Sequence, residues 1–176
     1  MDEIAALAGV SKQTVYTHFA DKAHLFRELV RARVEPADEF AQALPTMLHD
    51  TDRLAEDLGE LARRYINSVI QPEALLLRRL VLGEAGRFPD LARTYYERVP
   101  QRVVALLAAR LWHLSARGLL HLDDPMLAAN HFAWLVLGIP LDIAVFGGSD
   151  GGFVPAELEA IADAGVRVFL AAYAVR

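Results

Sequence analysis

The sequence predicts an all-α protein built as a small helical head on a larger helical bundle. Three observations predict it. Apolar residues recur at helical spacing through almost the whole chain, and runs that alternate every second residue are nearly absent. Prolines and glycines fall where helices would start and stop. Hydrophobic residues make up 54% of the 176 residues and there is no cysteine, so the core is sizeable and holds neither disulfides nor thiolate metal sites.

The elements follow in order. Residues 2–8 predict a short helix ending at Gly9, and residues 11–18 a second one, capped by Ser11. A third begins near Asp21, whose carboxylate can cap it, and runs past Val34. Pro36 starts a continuation or a kink, and Pro45 ends that segment. Residues 51–70 place Leu54, Leu58, Leu61, Ala62, Tyr65, Ile66 and Val69 on one face of an amphipathic helix. After Pro72, residues 73–86 are apolar nearly all round, which predicts a central helix. Residues 90–98 form a short helix. Pro100 opens a longer one to about Arg117, with Gly118 as its stop. Asp123-Asp124-Pro125 starts a very apolar helix to about Phe146. Residues 147–152 read as a flexible loop, and Pro155 begins a last helix that runs to the C-terminus. The boundary between a head of residues 1–35 and a body of residues 36–176 is expected inside the long third helix, which would join the two rigidly.

Charge and composition narrow the function. The net charge is −5, yet within the head Lys12, Lys22, Arg27, Arg31 and Arg33 balance Asp2, Glu3, Asp21, Glu28 and Glu35. A neutral head on an acidic body fits one DNA-contacting end. No basic-then-apolar leader opens the chain, which predicts a cytoplasmic protein. The longest apolar run, Phe132 to Gly148, contains Pro140 and Asp142 and reads as a buried helix, with no role for a membrane.

The head carries the sharpest chemistry. Ile4, Ala5 and Ala8 form an apolar stripe, and Ala5 is small enough for a second helix to approach. Gly9 supplies the positive φ of a tight turn. Val10 can plug between the helices, while Val15 and Phe19 face inward. Ser11, Lys12, Gln13, Thr14, Tyr16, Thr17 and His18 are left on the outer and flanking surfaces of a short helix able to enter a major groove. Lys12, Gln13 and Thr14, at its start, are the candidates for base edges. Tyr16, His18 and Lys22 are better placed for phosphates, which position without specifying sequence.

The string Ile4-Ala5-x-x-Ala8-Gly9-Val10-Ser11, then Tyr16-x-His18-Phe19, then Lys22-x-x-Leu25, resembles the DNA-reading helix-turn-helix of the TetR family of one-component transcriptional regulators. The stretch Arg79 to Asp124 resembles the core of AefR-like members, through Glu84-x-x-x-Phe88-Pro89 and Arg117-Gly118 followed by Asp123-Asp124-Pro125. The resemblance implies an all-helical homodimer whose heads read a palindromic double-stranded operator and whose body binds a small-molecule effector that releases the DNA. It also implies a further helix ahead of the position matching Met1, packed under the other two, so the head is expected to be truncated and Ile4, Val15 and Phe19 to lack part of their cover. The alternative is a dimeric small-molecule-binding protein without DNA-binding activity.

In the body, Tyr65, Phe88, Tyr95, Tyr96, Trp112, His131 and Trp134 are candidates for an effector pocket, with His131 as the polar anchor. Packing explains any one of them singly. Arg78, Arg79 and Glu84 can meet a polar ligand end or pair with each other. The last two helices carry more apolar surface than one face can hide: Phe132, Leu135, Val136, Ile139, Ile143 and Phe146 on one, and Ile161, Val168, Phe169 and Tyr173 on the other. Two such helices from each subunit would close a four-helix bundle about a two-fold axis.

Enzymatic readings fail on context. Gly147-x-Ser149-x-Gly151 matches a nucleophile elbow, which needs a strand before it and a helix directly after. The glycines lack a phosphate-loop lysine. No His-x-x-x-His occurs, and Asp21-x-x-His24 is an incomplete metal site. The sequence therefore predicts neither an enzyme, a metal nor a cofactor.

Overall fold

The computed structural model describes residues 1–34, 38–44, 46–48, 51–147 and 152–175. Glu35, Pro36, Pro45 and the loop residues 148–151, with Ser149 and its elbow pattern, lie outside them. The described residues form ten helices: α1 (Asp2–Leu7), α2 (Lys12–His18), α3 (Lys22–Val34), α4 (Asp38–Ala43), α5 (Leu54–Val69), α6 (Pro72–Glu84), α7 (Pro89–Arg98), α8 (Pro100–Ala116), α9 (Pro125–Phe146) and α10 (Pro155–Tyr173). They fall into two compact units, Met1–Pro36 and Ala37–Arg176.

Local chemistry places most of these boundaries. Gly9 adopts φ +66° in the turn after α1, a conformation costly for residues with a Cβ. Asp21 Oδ1 accepts the His24 N–H at 2.6 Å, capping α3. Asp124 Oδ1 accepts from the Met126 and Leu127 N–H groups at 2.8 and 3.0 Å, with Pro125 in the first turn of α9. Gly118 takes φ +75° just past α8. Four helices of the body begin on a proline at or next to the first turn besides α9: α6, α7, α8 and α10, where the missing N–H costs nothing.

The body's core lies where α5, α8, α9 and α10 meet. Leu58, Leu61 and Ile66 of α5, Leu107, Leu111 and Leu114 of α8, Phe132 and Val136 of α9, and Phe169 of α10 are fully buried. Each such side chain removed from water contributes about 1.5–3 kcal/mol. Phe132 and Phe169 meet edge to face, centroids 5.3 Å apart. Arg63 of α5 donates to Asp163 of α10 at 2.6 Å. The last helix stops at Tyr173 rather than continuing to the end. Beyond it the chain is extended: Ala174 bridges Leu120, the His121 N–H donates to Tyr173 O at 2.8 Å, and the Val175 N–H donates to Leu119 O at 3.3 Å. These backbone bonds tie the tail to the segment after α8.

The expectation for α6 changes too. Helix α6 is peripheral, not central. Leu75, Leu77 and Val81 are buried, but Leu76 is 61% exposed and Leu82 is exposed too. A helix apolar on every side gives no signal of which face is covered. Helix α9 is long and apolar enough to cross a membrane, yet one side of it is spent on the core just described.

Candidate nucleic-acid interface

The reading helix α2 is held by its cap and by one anchor. Ser11 Oγ accepts the Thr14 N–H at 3.0 Å, an arrangement worth about 1 kcal/mol to a helix start. Val15 is buried, as is Ala5 of α1, at the close approach of the two helices. Val10, expected as a plug, is 43% exposed, and Ala8 is exposed as well. The cover of the remaining apolar residues is uneven: Ile4 and Phe19 are half-buried. An open groove of about 720 Å³ runs between the end of α2 and α3, lined by His18, Phe19, His24, Leu25, Glu28, Leu29 and Ala32. The uncovered apolar surface thus lies along α3 more than at Val15.

All the candidate DNA residues, Ser11, Lys12, Gln13, Thr14, Tyr16, Thr17, His18 and Lys22, are exposed. Their side chains are not equally available. Thr14 Oγ1 and Ser11 Oγ are 2.8 Å apart, and Thr17 Oγ1 donates to Gln13 O at 2.9 Å. Lys12 Nζ sits 2.8 Å from Asp2 Oδ1. Gln13 makes no side-chain hydrogen bond among the described residues, so its amide is open to a donor–acceptor pair such as an adenine edge. The sequence reading passed over Asp2. Its only signal was position, because the turn brings the first residues of α1 and α2 together.

The body scatters the effector candidates. Tyr65 and Tyr95 are buried and Phe88 is half-buried, whereas Tyr96, Trp112 (57% exposed), Trp134 (61% exposed) and His131 face outward. Tyr65 stacks on Phe40, ring planes 8° apart and centroids at 5.0 Å, and its burial pushes the phenol up to about 12. His131 Nδ1 lies 2.6 Å from Tyr173 Oη. Arg79 donates to the Ala144 carbonyl in the last turn of α9.

The candidate dimer residues divide as well. Phe132, Val136 and Phe169 are core residues with no accessible surface to offer a partner. Leu135, Ile139, Ile143 and Val168 are exposed, and Ile161 and Tyr173 are half-buried. Phe146 extends the exposed stripe on α9, and Trp134 is exposed on another side of that helix. Helices α9 and α10 approach closely, where the buried Gly165 of α10 meets the backbone of Leu135.

Residues 1–29 match the family model of the tetR bacterial regulatory proteins, and residues 56–175 match that of the AefR-like transcriptional repressor C-terminal domain. The chain belongs to the TetR family of transcriptional regulators. Among solved structures, this regulator is similar to a protein from Mesorhizobium loti described as a TetR-family transcriptional regulator. The two are 42% identical over 99% of this chain and 86% of that one, with a TM-score of 0.87. It is also similar to the flavonoid-responsive regulator FrrA, at 37% identity over 100% and 87% of the two chains and a TM-score of 0.73. A TetR-family regulator from Pseudomonas syringae pv. tomato shares 26% identity over 99% and 85%, with a TM-score of 0.73. No curated protein matches the chain. The all-α architecture and the helix-turn-helix head agree with this membership.

Proposed function

We propose that the protein is a cytoplasmic, homodimeric repressor that grips a palindromic operator through α2 and lets go when its body takes up a small apolar or amphipathic effector. The observation that carries the reading is the exposed polar surface of α2, with Lys12 and Gln13 projecting from a helix fixed by Ser11 and Val15. Two heads related by a two-fold axis would meet half-sites about 34–36 Å apart, or a multiple of that. The exposed face of α9 and α10 supports the pairing. Effector binding would favour a head spacing that no longer fits, and affinity would fall by the effector's differential binding to the two states. Of the aromatic candidates, we assign Tyr65, Tyr95 and Phe88 to the effector, because they turn away from solvent. A flavonoid, a planar amphipathic aromatic, is the first probe to try, since a relative is named for its response to that class.

Binding to the DNA upstream of the protein's own coding sequence tests the reading. Fluorescence anisotropy is expected to show tight binding that falls steeply between about 50 and 200 mM salt. Gln13→Ala should relax base preference, and Lys22→Ala should weaken all sequences alike. Equal loss on every sequence for Gln13→Ala removes Gln13 from the base edges. Salt-insensitive or absent binding favours a ligand-binding dimer with no role on DNA.

A further inference from the structure

Lys12 is the only lysine or arginine within α2, and in the free head it already has a partner. Its Nζ lies 2.8 Å from Oδ1 and 3.1 Å from Oδ2 of Asp2. The pair joins the first residue of α1 to the first residue of α2 across the turn. Both side chains are largely exposed, and an exposed ion pair adds little to folding. Its effect is on what the reading surface presents: the cation that would meet DNA is matched beforehand by a carboxylate.

We propose that Asp2 is an internal competitor with DNA for Lys12, which lowers the sequence-independent affinity of the head. The proposal rests on α2 being the DNA-reading helix. When phosphates approach, Lys12 must leave Asp2, and the carboxylate is left beside a polyanion. A cation from solution then has to stay near Asp2. The complex therefore releases fewer counterions than the lysines and arginines of the head alone would give. The charge pattern agrees with a formed pair: the hydrogen bond with Lys12 holds the Asp2 carboxyl below the usual range, and the same bond raises Lys12. Lys12 then meets a phosphate in place of the base edge expected from its position, so the handicap falls on every DNA sequence equally and thins binding to the bulk of the genome without altering which bases are read.

The test is Asp2→Asn in the whole chain, titrated with the native upstream duplex and with a scrambled duplex of the same length across a range of salt. Binding to both is expected to tighten by up to about fivefold at low salt. The slope of log K against log salt should steepen by up to ~0.9. The ratio between the two duplexes should not change. Lys12→Gln should also cost more affinity in the Asp2→Asn background than in the parent, since only there is Lys12 unopposed. A merely structural role for Asp2 would leave the salt slope alone. A parent protein that binds DNA while Asp2→Asn leaves slope and affinity unchanged, or weakens binding, overturns this proposal and spares the function. A parent without salt-dependent binding overturns both.

Discussion

Tyr65 is where burial and a polar group meet most sharply. Its ring lies flat on Phe40 and its phenol is out of water. Burial disfavours the phenolate, and the folded-state value rises from about 10 to about 12. Below pH 10 the phenol keeps its proton folded or unfolded, so its contribution is constant. Between about pH 10 and 12 the unfolded chain loses the proton and the folded one does not. The raised group's stability is lost across that window, by about 1.4 kcal/mol per pH unit. Tyr65→Phe is therefore expected to flatten the alkaline fall in stability. Urea denaturation of parent and variant near pH 9 and pH 11 measures it, and equal falls would mean that solvent reaches the phenol.

At the scale of the element, Gly165 fixes how α10 meets α9. A Cβ built there would lie 2.8 Å from Leu135 O and 3.0 Å from its carbonyl carbon. The clash is with backbone, which cannot swing aside. Gly165→Val is expected to cost about 1–3 kcal/mol as the helices are forced apart. Gly83 of α6 has open space around it, so Gly83→Ala should instead stabilise by up to about 1 kcal/mol through helix propensity. Thermal melts of the two variants should move in opposite directions. A stable Gly165→Val would mean that the two helices are not in close contact. The same pair shows what a sequence can disclose. The caps at Ser11 and Asp21, the helix start at Asp123-Asp124-Pro125 and the turn at Gly9 were legible because each is local chemistry, read within four residues. Burial on α6 and α9 was not. Between Phe132 and Leu141 no charged residue marks a wet side, so Phe132 and Val136 looked as ready for a partner as Leu135 and Ile139. The paths of α8 and α10 against α9 separate them. The head's exposed reading surface was legible for the opposite reason, since Val15 is the lone buried position of α2.

At the scale of the molecule, the exposed stripe of α9 raises the question of what covers it. Leu135, Ile139, Ile143 and Phe146 share it, and Val168 of α10 is exposed as well. Large exposed apolar patches on soluble proteins mark contact surfaces, and the proposed second copy of the chain would present the same stripe about a two-fold axis. Ile139 is 64% exposed, so a charge placed there hardly disturbs the protomer but would be buried in a dimer at high cost. Ile139→Glu is therefore expected to sediment as a monomer at micromolar concentration while keeping its helical circular dichroism and thermal cooperativity. Its DNA binding should fall further than any single contact could explain. One head would grip one half-site, and the joint grip that gains 10²- to about 10⁴-fold over a single site would be gone. Binding to an isolated half-site should be the same for parent and variant, because the head is untouched. A dimer that persists in Ile139→Glu places the interface elsewhere. A monomer that still binds the full palindrome as tightly as the parent would show that the two heads never acted together.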